Sequence, residues 1–311
     1  MDTLAVVLNA PEILELRSLP LTEPDDQDVV VEVSHSGIST GTERLLWSGK
    51  MPPFPGLGYP LVPGYESVGT VIRAGSSSGR KEGDFVFVPG ARCFGEVRGL
   101  FGGAASHLVS KSDRVTPIHT QVPEQGVLLA LAATAYHALH APEFQAPDLI
   151  VGHGVLGRLL ARLTIALGGP APVVWETAED RRTGAMGYQV ISPDEDTRKD
   201  YKIIQDVSGN TSVIDTLVSR LSKGGEIVLA GFYTGTVGFA FPPAFMREAR
   251  FRVAAEWAPE DLAATKALVE SGRLSLDGLI SHCEPARNAT EAYKKAFSDP
   301  RCIKMILNWR A

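Results

Sequence analysis

The apolar run Leu149-Ile150-Val151 leads directly into Gly152-His153-Gly154-Val155-Leu156-Gly157, and a helix pattern through Arg158, Leu159, Leu160, Ala161 and Leu163 follows. Glycines at that spacing make a cradle for a pyrophosphate. Gly152 permits the tight turn, Gly154 lets phosphate approach the backbone, and Gly157 lets helix and strand pack closely. The unpaired N–H groups and the positive dipole end of the helix then favour negative charge. Val155 and Leu156 contribute as backbone, and His153 through its N–H rather than its ring. Further on, Glu176 closes the strand Val173-Val174-Trp175, where an acid holds the ribose hydroxyls of NAD and repels the extra phosphate of NADP. Arg181 and Arg182 keep NADP open, and the alternative for the whole segment is a glycine turn beside a solvated Glu176.

The elements that position this turn alternate. From Leu4 to about Leu108 the pattern is short strands with turn punctuation: Leu4 to Leu8, Val29 to Val33, Ser67 to Ile72 and Phe85 to Val88, a β-rich domain. Near Gln121 the character changes, with an alanine-rich helix from Val127 to Leu139. After Leu149 to Val151 the predicted strands are Val173 to Trp175, Lys202 to Val207, Gly225 to Gly231 and Phe251 to Ala255, then a helix from Pro259 to Glu270. Strands alternating with helices predict a doubly wound parallel sheet, so the fold class is α/β. The tail strand Ile303 to Leu307 is expected to return to the first domain. The stretch Trp47 to Tyr65 is dense in Pro, Gly and large apolar groups; it is either a functional loop or one that buries itself against its own domain.

The 311 residues carry a net charge of −6 with 44 % apolar positions. Neither nucleic acid nor an anionic membrane finds a basic face there. Cys93, Cys283 and Cys302 fit neither a zinc cluster nor a disulfide framework, which implies a reducing compartment. No window approaches the ~18 uninterrupted apolar residues of a spanning helix, and Met1 to Ala10 does not read as a leader. A cytoplasmic protein, peripheral to a membrane at most, is expected.

In order along the chain, Ser36-Gly37-Ile38-Ser39, Pro63-Gly64-Tyr65-Glu66-Ser67-Val68-Gly69, Gly83-Asp84-Phe85-Val86, the glycine turn, Asp206-Val207-Ser208-Gly209 and Gly224-Gly225 resemble the medium-chain dehydrogenase/reductase superfamily. The resemblance implies a GroES-like catalytic domain over 1–122, to which 273–311 return, and a Rossmann NAD-binding domain over 123–272. It also implies that Thr134 touches the nicotinamide, and it makes a homodimer through the edge of the Rossmann sheet an expectation. Zinc members of the superfamily hold their metal at the positions matching Ser39, Tyr65 and approximately Ala130. Hydroxyl, phenol and methyl cannot replace thiolate and imidazole, so a zinc-free site is expected. Without a metal, a group about 3 Å from the alcohol oxygen must handle its proton. Tyr65 is the first candidate, the alternative being an aromatic plug. Ser39 and Thr42 can bind or relay. Glu66 orients the network or acts as base, the alternative being a salt bridge with Arg44; Glu43 is the other nearby carboxylate. His35, His107, His137 and His282 are each a further carrier or a satisfied local residue.

The run Ser39 to Gly49, continued through Met51-Pro52-Pro53-Phe54-Pro55-Gly56 to Tyr59 and Glu66, is similar to the bacteriochlorophyllide a dehydrogenase family. That similarity implies NAD-dependent oxidation of a hydroxyethyl substituent on a tetrapyrrole to acetyl, in bacteriochlorophyll synthesis near the photosynthetic membrane. A flat apolar macrocycle calls for an aromatic-lined pocket, which the loop could line with Trp47, Met51, Phe54 and Tyr59. Lys50, Arg92 or Arg98 meets a propionate or is simply solvated. Two other readings stand: a zinc-free NAD(P)H quinone or enone reductase, and a non-catalytic NAD(H)-binding redox sensor.

Overall fold

The computed structural model describes residues 1–119, 122–140 and 143–311. The expected change of character at Gln121 lies outside the described residues. The chain forms two compact units, Met1–Ala130 with Ile280–Ala311, and Leu131–Leu279. The division thus falls after Ala130 and Leu279, where the sequence reading places it at 122 and 272.

The first unit is built on two sheets. One runs in the order Ile13–Pro20, Asp2–Ala10, Leu61–Val62, Arg98–Gly99. The other runs His282–Pro285, Met305–Asn308, Asp28–Ile38, Ser67–Ala74, Phe85–Val88, Thr116–Pro117, with His107–Lys111 also paired to Asp28–Ile38. Strand Asp28–Ile38 has partners along both edges, so nearly all of it is buried. Its β-branched Val29, Val30, Val31 and Val33 suit that double cover. They join Val6, Leu108 and Tyr293 in the core. The tail closes the sheet in antiparallel register, Met305 opposite Ile38 and Leu307 opposite Ser36. The strand opens at Met305 rather than Ile303, because the N–H groups of Ile303 and Lys304 go to Ser281 Oγ at 2.9 and 3.1 Å.

The second unit holds one parallel sheet in the order Gln189–Ile191, Val173–Trp175, Leu149–Val151, Tyr201–Asp206, Leu221–Leu229, Arg250–Val253. Counted within the unit, that is the 3-2-1-4-5-6 order of a Rossmann sheet, whose direction of winding reverses between Leu149–Val151 and Tyr201–Asp206. Helix Pro259–Glu270 has the bounds its pattern predicts. The expected helix from Val127 to Leu139 is a 3₁₀ turn, Pro123–Leu128, followed by the α-helix Leu129–His140.

Two crossovers depart from the alternation, the one between Ile191 and Tyr201 holding only the 3₁₀ turn Pro193–Glu195. Between Trp175 and Gln189 the chain makes only the 3₁₀ turn Glu179–Arg181. Gly184 and Gly187 sit there at φ +78° and +81°, a conformation that ends helices. The carbonyls a helix would satisfy internally are gathered by one buried guanidinium. Arg158 donates from Nη2 to Thr183 O (2.8 Å) and Arg181 O (3.1 Å), from Nη1 to Gly184 O (3.3 Å) and from Nε to His153 O (3.1 Å). Among the described residues no helix is long and apolar enough to cross a membrane.

Candidate active site

In the first unit, the bend after strand Asp28–Ile38 and the short helix Thr42–Trp47 bring Ser39, Thr42 and Glu43 to Tyr65. Ser39 Oγ lies 2.8 Å from Tyr65 Oη and accepts the Thr42 N–H at 3.3 Å. The Thr42 hydroxyl also hydrogen-bonds the phenol. Three of the expected residues therefore meet as a cluster of hydroxyls. Burial and the neighbouring Glu66 carboxylate push the Tyr65 phenol above its ordinary range, against the pull of the Ser39 and Thr42 hydroxyls. So shifted, the phenol keeps its proton and is suited to a donor or relay rather than a standing base. Phe101, 38 % exposed, meets the Tyr65 ring edge-on with centroids 5.4 Å apart.

Two carboxylates lie beneath this cluster. Glu43 is fully buried; its Oε1 accepts the Ser39 N–H at 3.0 Å and its Oε2 the Tyr293 hydroxyl at 2.7 Å. Burial pushes its carboxyl up from the ordinary 4.5 to about 7, against those two donors. Glu66 is equally buried and is paired with Lys304, itself 1 % exposed. The partner expected from sequence was Arg44; Lys304 takes its place because the returning tail carries it to the position just before Met305, which pairs with Ile38 next to Gly37. A side chain at position 37 would overlap Glu66 Oε2 and stand 2.9 Å from Lys304 Cε, so glycine leaves the room the ion pair occupies. Burial raises the Glu66 pKa and the Lys304 ammonium pulls it down. Tyr293 and Lys304 are the site residues that reading the sequence missed, and no local motif marks either.

The donor set does not fit a zinc ion. The first vacated ligand position carries a hydroxyl already bonded to Tyr65 and Thr42, and the second a phenol held in its protonated form; neither matches the thiolate and imidazole donors zinc prefers. Each of the four candidate histidines has its own local partner: His35 with Ser34 at 3.3 Å, His107 with Ser106 at 3.1 Å, His137 with Asp261 at 2.8 Å and His282 with Ser281 at 2.9 Å.

The apolar loop is divided in its use. Trp47, Met51 and Tyr59 pack against a cluster of Leu8, Leu46, Leu61 and Leu100, and the Tyr59 hydroxyl donates to Leu46 O. Their burial against their own unit is the plainer of the two readings of this loop. Phe54 alone of the four expected substrate contacts is exposed, at 37 %. Lys50, Arg92 and Arg98 are exposed, and Arg98 reaches the Tyr59 carbonyl at 3.4 Å.

In the second unit the glycine turn sits at the ends of the parallel strands where the winding reverses. Gly152 adopts φ +104° and donates its N–H to Trp175 O at 2.8 Å. Gly154 precedes helix Val155–Ala166, and a Cβ placed on it would meet nothing within 4 Å, an open approach for a phosphate. The first intrahelical bond runs from Arg158 N–H to Gly154 O (3.0 Å), so the N–H groups of Val155, Leu156 and Gly157 lie ahead of it and remain for an anion. Glu176 accepts the N–H of His153 at 3.1 Å and of Ala178 at 2.9 Å. The His153 N–H thus orients the acid instead of facing phosphate. Its buried ring is bonded to Arg181 O (2.6 Å) and the Tyr188 hydroxyl (2.8 Å), and burial pushes its pKa down to about 4. Arg182 is engaged with Glu176 O at 2.9 Å and Thr177 O at 3.1 Å. Thr134 lies half-buried on helix Leu129–His140. A Cβ at Gly157 would collide with Gly152 O, which is backbone and cannot yield. Gly157→Ala is therefore expected to weaken dinucleotide binding at least tenfold, read by titrating the reduced coenzyme's fluorescence, with the first unit's fold unchanged.

Three comparisons bear on this arrangement. The alcohol dehydrogenase GroES-like domain family matches residues 25–120. The chain is 60 % identical over 316 residues to the 2-desacetyl-2-hydroxyethyl bacteriochlorophyllide A dehydrogenase of Cereibacter sphaeroides, covering 100 % of this chain and 99 % of that one. The protein of the same name from Rhodobacter capsulatus is 58 % identical over 311 residues, with the same coverage. Among solved structures, L-idonate 5-dehydrogenase from Escherichia coli superposes with a TM-score of 0.86 at 19 % identity, covering 99 % of each chain.

Proposed function

The chain belongs to the family of the 2-desacetyl-2-hydroxyethyl bacteriochlorophyllide a dehydrogenases, and from that membership we propose that it oxidises the 3-(1-hydroxyethyl) group of a (bacterio)chlorophyllide to 3-acetyl, with NAD as coenzyme and no zinc. The observation that carries the reading is the meeting of Ser39 and Thr42 on the Tyr65 hydroxyl, in a chain alike from end to end to those pigment dehydrogenases. NAD, when bound, supplies the two-electron acceptor for the carbinol hydrogen. The glycine turn from Gly152 to Gly157 holds its pyrophosphate and Glu176 its adenosine ribose. That carboxylate, with Arg182 turned to backbone carbonyls, favours NAD over NADP.

The chain's own part in the oxidation is to bind the alcohol oxygen and move its proton. Tyr65 Oη accepts the alcohol proton as it passes its own on through the Ser39 and Thr42 hydroxyls toward solvent, so the developing carbonyl is left with the phenol as its hydrogen-bond donor. Thr42 fixes the Ser39 hydroxyl, and the Glu66 charge keeps Tyr65 in its phenol form. Phe54 and Phe101 offer exposed rings to the macrocycle, and Trp47, Met51 and Tyr59 support the loop that carries Phe54. A homodimer through the sheet edge at Arg250–Val253, beside the exposed Phe245, Met246 and Val253, belongs to the same reading. So does work at the cytoplasmic face of a pigment-bearing membrane.

The test mixes purified protein, NAD and hydroxyethyl pigment. The expected result is formation of NADH together with a red shift of the pigment band. Binding of NADPH but not NADH would point instead to a quinone or enone reductase, and tight NAD binding without turnover to a redox sensor.

A further inference from the structure

We propose that the His153 ring, braced by Tyr188, is the positioning residue that keeps coenzyme choice on NAD, by holding the Glu176 carboxylate fixed where the adenosine ribose binds. This rests on the NAD reading above and names what enforces it.

Hydrogen bonds form a closed circuit that starts and ends on His153. The His153 N–H donates to Glu176 Oε2 (3.1 Å) and the Ala178 N–H to Glu176 Oε1 (2.9 Å). The Arg181 N–H donates to Ala178 O (3.0 Å), and His153 Nδ1 closes the circuit on Arg181 O (2.6 Å). A carbonyl only accepts, so Nδ1 carries the hydrogen of the neutral ring and Nε2 accepts from the Tyr188 hydroxyl at 2.8 Å. Tyr188 is hydrogen-bonded in turn to Arg162, whose Nη1 is anchored on Ser275 O (3.0 Å) and Asp277 O (2.9 Å). Both ring nitrogens are therefore engaged, and burial keeps the imidazole neutral.

The circuit ties the glycine turn to the segment between Trp175 and Gln189, which no helix holds in place. Each Glu176 oxygen accepts one N–H and keeps a second acceptor site for a ribose hydroxyl. The carboxylate cannot swing aside for a 2′-phosphate without abandoning both N–H groups. Arg182, a cation on the same segment, is committed through Nε and Nη2 to Glu176 O and Thr177 O. Arg158 Nη2 shares the Arg181 carbonyl at 3.1 Å, so loss of the imidazole leaves the segment folded. What is lost is the tie that runs through the carboxylate's own donors, and with it the barrier to Glu176 withdrawing and Arg182 turning toward a phosphate.

The experiment titrates the full chain with NADH and with NADPH, following coenzyme fluorescence, for the wild type, His153→Ala, His153→Asn and Tyr188→Phe. The wild type should bind NADH the more tightly. His153→Ala should lower the ratio of the NADPH Kd to the NADH Kd by about tenfold, the weight of one buried hydrogen bond. His153→Asn, whose amide sets an N–H donor near the place of Nδ1, should restore most of that ratio, and Tyr188→Phe should fall between. A merely structural loss weakens both coenzymes alike and leaves the ratio unmoved. Nitrogen-15 spectra of the coenzyme-free wild type give a second readout: one imidazole protonated at Nδ1 alone, not titrating near neutral pH and missing from His153→Asn. An unmoved ratio in both His153→Ala and Tyr188→Phe, or a His153 ring protonated at Nε2, overturns the proposal. A wild type that binds NADPH the more tightly sinks the NAD reading and this proposal together, whereas a preference for NADH that survives His153→Ala in full sinks this proposal alone.

Discussion

Tyr65→Phe should lower kcat by about 10²–10⁴-fold, the range for losing a positioned proton-transfer group, while leaving the Kd for NAD unchanged. The substitution removes one oxygen. The ring keeps its edge contact with Phe101, and Ser39 and Thr42 keep the hydrogen bond between them. Stability should change by about 1 kcal/mol, the net worth of an ordinary hydrogen bond. Steady-state rates with the pigment, set beside a fluorescence titration of the reduced coenzyme, separate the two quantities. Activity within a few-fold of wild type would make Tyr65 the plug that fills a vacated metal position, and the hydroxyl cluster would lose its place in the mechanism.

Lys304→Met carries the largest expected cost to stability, about 3–5 kcal/mol, because it strands a charge in the core. Glu66 has no exposed surface, and among the described residues its Oε1 has no hydrogen-bond partner; loss of the ammonium leaves its desolvation without an opposing charge. Burial already raises the Glu66 pKa, and loss of Lys304 raises it further. A carboxyl whose folded pKa lies above its unfolded one weakens the fold as pH rises from the unfolded value to the folded one. The variant should therefore come close to wild type in acid and fall away toward neutral pH, in urea melts run across that range. The double variant Lys304→Met with Glu66→Gln should recover most of the loss, since it removes both charges together. A single variant as stable as wild type at neutral pH would show that the pair carries no charge in the folded protein.

What could be read in the sequence was what is contiguous in it. Strand Leu149–Val151, the glycine turn and helix Val155–Ala166 follow one another directly, and Glu176 ends the next strand, so each announces itself within one short window. The same holds for helix Pro259–Glu270 and for the strands of both units whose apolar runs lie between turn residues. The core of the candidate site is of the other kind. Tyr293 reaches Glu43 across 250 residues and Lys304 reaches Glu66 across 238; the pairing of Met305–Asn308 with Asp28–Ile38 brings in Lys304, and the packing of helix Ala289–Ser298 in the same core brings in Tyr293. Arg44 looked the better partner for Glu66 because it is near in number, whereas in the fold the tail is nearer. The loop from Trp47 to Tyr65 was ambiguous for a physical reason: large apolar side chains suit a leucine cluster as well as a macrocycle, and composition does not say which surface they find first. The missing helix between Trp175 and Gln189 was equally silent, since Arg158 answers for carbonyls that follow it by more than twenty residues.

The returning tail also sets the order in which a nascent chain can mature. Residues 131–279 form one uninterrupted stretch, so the second unit is entire while the ribosome is still adding the tail. The first unit, begun earlier, waits longer. Until Met305–Asn308 is made, Asp28–Ile38 has an open stretch at residues 35–38, the kind of unpaired edge that invites association with other chains, and Glu66 has no counter-charge. The piece synthesised first is thus the last to close, and the closing strand delivers the lysine that the candidate site has been missing.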